Sequence, residues 1–197
     1  MIRMRLKSLG SDARGATIVE FAFVAPIMIM MLMGLMDISY RFYVQSILTG
    51  AMQRAGRSTT LETGASSAAT LDAKVAAEIK QVATNATWSS TRESFSDYSS
   101  MSPEAFNDTN GNSVRDPGEC YSDTNDNGQW DAYPAKTGLG GASDTVAYTF
   151  TVTYPRLFPM AGWLGWGQNQ VISARTVLKN QPYTTNAQVA PPTRCTP

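Results

Sequence analysis

From Ala16 to Met36 the chain reads ATIVEFAFVAPIMIMMLMGLM, a run of 21 residues whose only charge is Glu20, followed at once by Asp37. As a helix rising ~1.5 Å per residue it spans roughly 31 Å, enough to cross the hydrocarbon core of a bilayer. A cleaved secretory signal calls for a shorter apolar region and an A-x-A-like site close behind it. The 16 apolar, Gly or Pro residues from Phe21 to Met36 fit neither requirement. A helix in a soluble core would show a polar face, and this one has none. Residues 1–15 carry Arg3, Arg5, Lys7 and Arg14 against Asp12, a net charge of +3. By the positive-inside rule this leader stays in the cytoplasm. The expectation is a single-pass protein of the inner (cytoplasmic) membrane whose C-terminal part lies outside.

Composition then narrows the function classes. The chain has no histidine, the usual general base and commonest metal ligand, so catalytic triads and most zinc sites have nothing to build on. No nucleophile-and-base constellation and no basic stripe appear elsewhere, which argues against an enzyme with a small-molecule substrate and against nucleic-acid binding. Cys120 and Cys195 both fall on the expected outer side, where oxidising conditions favour a disulfide over two unrelated thiols.

The leader ends in Arg14-Gly15, so Glu20 is the fifth residue after Gly15. This spacing resembles type IV prepilins, in which a membrane aspartyl peptidase cuts after a glycine and a glutamate occupies the fifth mature position. A carboxylate in the hydrocarbon region is costly and usually marks function. Cleavage after Gly15 would free an α-amino group on Ala16 that could neutralise Glu20 of the same or a neighbouring subunit. The plainer alternative is that Glu20, about one turn inside, reaches the headgroups. More specifically, RGATIVEFAFVAPIMIMMLMGLMDISYRFYVQSILTGAMQRAGR is similar throughout to the TadE/TadG-like proteins of tight-adherence (Tad) pilus systems. The matching positions are Arg14-Gly15-Ala16, Val19-Glu20-Phe21-Ala22, Pro26, Gly34, Asp37, Phe42-Tyr43, Ala51, Arg54, Gly56 and Arg57. Major Tad pilins generally carry Glu-Tyr and are much shorter. Glu20-Phe21 and the large domain that follows therefore imply a minor pilin or pseudopilin. The resemblance also implies its partners: other pilins, the assembly machinery in the membrane and a prepilin peptidase.

Helical periodicity continues past Asp37, with Tyr40, Tyr43, Val44, Ile47, Leu48, Ala51 and Ala55 on one face. Pro26 could kink this long helix, because it removes a backbone donor. After a break near Gly64, Leu71, Val75, Ile79 and Val82 recur at three or four residues, with Thr70 a possible cap and Asp72 in the first turn. Residues 88–101 are dominated by Ser and Thr and suggest a surface loop with one short strand at most. VAYTFTVTYP and VISARTVLK alternate with period two and read as an antiparallel strand pair. The linker RLFPMAGWLGWGQNQ holds Phe158, Trp163, Leu164 and Trp166, which either fold onto the core or form an exposed tip.

Between Glu93 and Asp131 stand nine acids against one base, Arg115. In DTNGNSVRDPGE, Asp108, Asn110, Asn112, Asp116 and Glu119 fall at positions 1, 3, 5, 9 and 12 of a calcium loop, with the Val114 carbonyl at 7. Ser113 replaces the glycine usual at position 6. The same frame, 15 residues on, gives Asp123, Asn125, Asn127, the Gln129 carbonyl and Asp131, now with Gly128 in place. Its position 12 is Pro134, so a second carboxylate must come from elsewhere. The alternative without Ca2+ is a pair of Asx-turns.

The expected fold is α+β: a basic leader (1–15), a transmembrane helix (16–36) continuing outside the membrane (37–62), and a small extracytoplasmic domain (66–197). That domain has a second helix, a short antiparallel sheet and an Asp/Asn-rich insertion (107–132). The function expected is a structural or initiating role in assembly and adhesion of a Tad-type pilus. Its rival is an uncleaved single-pass protein displaying a calcium-stabilised binding domain.

Overall fold

A computed structural model of the chain describes residues 14–59, 68–158, 162, 165–180 and 190–195. Two helices, α1 (Arg14–Thr59) and α2 (Ala68–Val82), precede strands β1 (Thr87–Phe95), β2 (Tyr121–Ser122), β3 (Lys136–Thr137), β4 (Thr145–Pro155), β5 (Asn169–Lys179) and β6 (Thr193–Arg194). The chain divides into two compact units: Met1–Tyr43 with Pro155–Gln170, and Val44–Tyr154 with Val171–Pro197.

In the first unit α1 is an apolar rod. The helix continues on both sides of Pro26, although that residue has no backbone N–H to donate. Phe21, Phe23, Ile27, Met31 and Leu35 are all more than half exposed, so none of the described residues covers them. An apolar helix bare on all sides is a candidate single membrane span. Asp37, the residue that closes the apolar run, accepts hydrogen bonds from Arg156 Nη1 (2.5 Å) and Gln170 Nε2 (2.8 Å).

The second unit is built around β4, the long central strand of a sheet ordered β3-β1-β4-β5. Val146, Tyr148, Phe150, Val152 and Tyr154 alternate along it, each 2% exposed or less. Period-two spacing sends all five to one face. Val44, Leu48, Ala51, Met52 and Ala55 of α1 and Leu71, Val75, Ala76 and Ile79 of α2 supply further buried apolar groups. Gly56 packs closely here: a Cβ on it would stand 2.8 Å from Leu178 Cδ2, the end of a side chain that would have to shift.

The Ser/Thr-rich stretch is the clearest departure from expectation. Instead of a surface loop it holds β1, nine residues long, paired antiparallel with β4 from Thr87↔Thr153 to Phe95↔Thr145. Its polar residues belong there because the sheet has polar business on that face. Ser90, Arg92 and Tyr148 all donate to the Asp72 carboxylate of α2, at 2.9, 2.5 and 2.5 Å. Burial and the Asp72 hydrogen bond push the Tyr148 phenol well above its ordinary pKa, so it remains a donor. Arg92 lies 4.5 Å over the Tyr148 ring, and Trp88 stacks on Phe150 with centroids 5.2 Å apart. Asp72 is therefore a buried tie between helix and sheet rather than a first-turn partner of the helix dipole, and Thr70 lies inside α2 rather than capping it.

Cys120 and Cys195 form a disulfide across a sequence separation of 75. It flanks the two-residue β2–β6 pairing, Tyr121↔Arg194 and Ser122↔Thr193, which ties the C-terminal segment back to the acidic insertion.

Candidate functional site

Two regions carry the residues that the sequence singles out. The first is the start of α1. Gly15 and Glu20 are exposed, and a Cβ on Gly15 would meet nothing within 4 Å. Glu20 sits among exposed Val19, Phe21 and Phe23, a lone carboxylate on a hydrocarbon surface. The basic residues Arg3, Arg5 and Lys7 and the side chain of Ala16 lie outside the described residues. What this surface can do chemically is limited and specific: pack against other apolar helices or lipid, and offer one anion to a cation brought by a neighbour.

The second region is the acidic insertion, whose two loops repeat each other atom for atom. In loop one Asp108 Oδ1 accepts from the Gly111 and Asn112 amides, and Oδ2 accepts from Ser113 at 2.7 Å. In loop two Asp123 Oδ1 accepts from Asn127 and Oδ2 from Gly128 at 2.8 Å. The amide groups of Asn110 and Asn112 converge on Asp116 Oδ2, as those of Asn125 and Asn127 do on Asp131 Oδ2. The carbonyl oxygens of Asn112 and Asn127 accept from the Val114 and Gln129 amides. Backbone conformation follows the same register. Gly111 and Asp126, at position 4, have φ of 74° and 59°; Ser113 and Gly128, at position 6, have 61° and 77°. Ser113 thus adopts the left-handed conformation that glycine normally supplies there.

The carboxylate missing from loop two is Glu104. In loop one, Glu119 Oε1 accepts from the Thr109 amide (2.8 Å) and hydroxyl (2.9 Å), and Oε2 from the Asp116 amide (3.0 Å). In loop two, Glu104 Oε1 accepts from the Thr124 amide (2.7 Å) and hydroxyl (2.9 Å), and Oε2 from the Asp131 amide (3.0 Å). Both glutamates are buried. A signal for this was present: stepping back 15 residues from Glu119 lands on Glu104, just as Asp123 steps back to Asp108. Position 12 of loop two, counted forward, is Pro134, so the loop's own spacing does not point to Glu104.

Two of these carboxylates, Glu119 and Asp123, are held below their ordinary pKa. The Asp116 and Thr109 amides hold Glu119 below its ordinary pKa. For Asp123 burial pushes upward, but the Gly128, Asn127 and Asp126 amides and the charge of Arg194 outweigh it and hold it below. A folded value below the unfolded one means that this stabilisation is present at neutral pH and is lost as pH falls through the folded value. Arg194, beside Cys195, also pairs with Asp126 and Asp123, so the disulfide-bound tail meets loop two directly. Among the described residues no group of three or more His, Cys, Asp or Glu side chains is arranged to hold a metal ion. In this arrangement Asp108, Glu119, Asp123 and Glu104 accept from backbone amides, and Asp116 and Asp131 from asparagine side-chain amides.

Comparison with known proteins adds one finding. Residues 15–57 match the family model of TadE-like proteins, consistent with a component of a Tad pilus. No curated protein and no solved structure matches the chain. The matched segment lies wholly within α1, so the family likeness concerns the helix and leaves the sheet and the loop pair to be read from their own geometry.

Proposed function

We propose that this protein is a minor pseudopilin of a Tad-type pilus, anchored in the cytoplasmic membrane through α1, with its sheet domain outside, and that it contributes to initiating or building the fibre and to adhesion. The observation that carries the reading is the TadE-like match over 15–57 on a helix whose apolar surface is bare and interrupted only by Glu20, five residues after Gly15. A prepilin peptidase acting at Gly15 would expose the Ala16 amine, and packing of such helices would bring that amine to Glu20 of a neighbour. Function then lies in helix packing rather than catalysis.

Glu20→Leu separates insertion from assembly. It makes the segment more apolar, so the variant is expected to fractionate with the membrane like the parent. Fibre yield from the host should nevertheless fall to background, because the partner of the incoming amine is gone. Normal piliation by the Glu20→Leu strain would remove this role for the glutamate.

The loop pair supports a second element of the proposal, that Ca2+ staples the insertion. Each loop offers only oxygen donors: Asp108, Asn110, Asn112, the Val114 carbonyl, Asp116 and Glu119 in one, and Asp123, Asn125, Asn127, the Gln129 carbonyl, Asp131 and Glu104 in the other. That is the ligand chemistry and number a hard, six- to eight-coordinate cation takes. When bound, the ion would neutralise carboxylates that otherwise repel one another in a stretch with little apolar surface to order it. With affinities of roughly 10⁻⁴ to 10⁻³ M for extracellular sites, ~10 mM calcium should add about 1–3 kcal/mol per ion. Thermal melting of the whole protein in detergent, with calcium and with chelator, should therefore differ by several degrees. Glu119→Ala and Glu104→Ala should each reduce that difference, and Asp126→Ala should not. Identical melting curves with and without calcium would leave the loops as Asx-turns.

A further inference from the structure

The segment between β4 and β5 is apolar, aromatic and clamped at its neck to the end of the apolar helix. Residues 157–167, LFPMAGWLGWG, contain no charge. Among them Leu157 is 49% and Trp166 60% exposed, which settles for Trp166 the choice between core packing and an exposed tip; Trp163 and Leu164 lie outside the described residues. Both stand exposed on a segment that carries no charge. Arg156 Nη1 is 2.5 Å from Asp37 Oδ2, its Nε donates to the Gly167 carbonyl at 2.9 Å, and its guanidinium carbon lies 5.8 Å from the Trp166 ring centroid. Gln170, on the far side of the segment, donates to the same Asp37 oxygen.

Asp37 follows Met36, the last residue of the apolar run, by one helical rise of ~1.5 Å. The interfacial layer on each side of a bilayer's hydrocarbon core is about 5–8 Å thick. A ring held through one arginine to Asp37 is therefore kept close to the boundary between hydrocarbon and headgroups. Tryptophan prefers that layer, because its ring is apolar and its N–H can meet water or headgroup oxygens. The Asp37–Arg156 pair, with side chains 13% and 20% exposed, supplies a fixed polar joint at the boundary.

We propose that Trp166 and Leu157 dock into the lipid headgroup interface beside α1, giving the protein a second, reversible membrane contact of the interfacial kind. The inference rests on α1 being the membrane anchor. It is tested with the full chain reconstituted into vesicles of phosphatidylethanolamine and phosphatidylglycerol, using W88F/W130F/W163F, which leaves Trp166 as the only one of the 4 tryptophans. Lipids brominated just below the headgroup should quench its emission ~two-fold or more, and reconstitution should shield it from aqueous acrylamide. Quenching by acrylamide with none by brominated lipid would overturn the proposal by showing a ring in water. Resistance to both quenchers would overturn it by showing a ring covered by protein, such as a second copy. An alkaline wash of the same vesicles distinguishes the two levels of failure. A chain that washes off removes the anchor reading and the tip with it, whereas a chain that stays with an unquenched ring removes only the tip. If the triple variant does not fold, fluorotryptophan incorporated into the unaltered sequence, with the W166F spectrum as assignment, reads the same contact by line broadening from nitroxide-headgroup lipid. A Trp166 resonance that stays sharp there would count against docking.

Discussion

Replacing Asp72 with alanine is expected to destabilise the sheet domain by about 3–5 kcal/mol, because it leaves the guanidinium of a largely buried Arg92 without its anion. Tyr148 Oη and Ser90 Oγ lose their acceptor in the same step. Each buried donor so orphaned carries a desolvation cost of its own, of order 1–3 kcal/mol. Asp72→Asn should cost less, since it keeps an acceptor oxygen and the packing. The double variant Asp72→Ala with Arg92→Leu should recover part of the loss, because removing both ends of a buried ion pair is far less costly than removing one. The measurement is the melting temperature of the full chain in detergent. At ~2–4 °C per kcal/mol for a protein of this size, the single variant should melt roughly 10 °C low. A shift within a degree of the parent would show that the cluster is solvated and carries no such weight.

The second large effect is expected from the disulfide. Cys120 and Cys195 close a loop with a sequence separation of 75. The chain-entropy estimate for a loop of this length is ~4 kcal/mol. Little else among the described residues holds the C-terminal segment: β2 and β6 are two residues each, and Arg194 adds ion pairs from a side chain 41% exposed. The Arg194–Asp126 pair, exposed on both sides, contributes at most about 1 kcal/mol. Cys120→Ser with Cys195→Ser should therefore shift the denaturant midpoint substantially, and reduction of the parent protein should reproduce the shift. An unchanged midpoint on full reduction would mean that the unfolded chain gains no freedom from losing the bond.

What the sequence made legible follows from how local each signal is. The long apolar helix, the second helix and both β-branched strands were visible because periodicity and hydropathy are read within a few residues. The strand Thr87–Phe95 was not, because its partners are not local. Its Ser and Arg side chains look like loop chemistry until Asp72, 20 residues before Arg92, is placed opposite them. The same holds in the acidic insertion. Ligand-like spacing marked Asp108 to Glu119 and Asp123 to Asp131, but Glu104 could be found only through the 15-residue repeat that its hydrogen bonds reproduce. Trp166 was ambiguous for a third reason: apolar residues in a linker are compatible with a core or with a tip until their exposure is known.

The position of Glu104 also makes the two loops topologically nested. Loop one closes on itself, Thr109 to Glu119, within a single turn of chain. Loop two is closed by a residue that comes before loop one, so the whole of loop one is threaded inside the span that joins Glu104 to Thr124 and Asp131. Surface loops ordinarily tolerate added or deleted residues at little cost, since closure entropy grows only slowly with length. Here the base of the first loop is closed by the Phe106↔Tyr121 bridge and by the Asn107–Cys120 and Ser122–Ala105 backbone hydrogen bonds, and it is this pairing that carries Glu104 to the second loop. The second loop is thereby closed only while the two sides of the first loop's base stay paired, so its order depends on residues outside its own sequence.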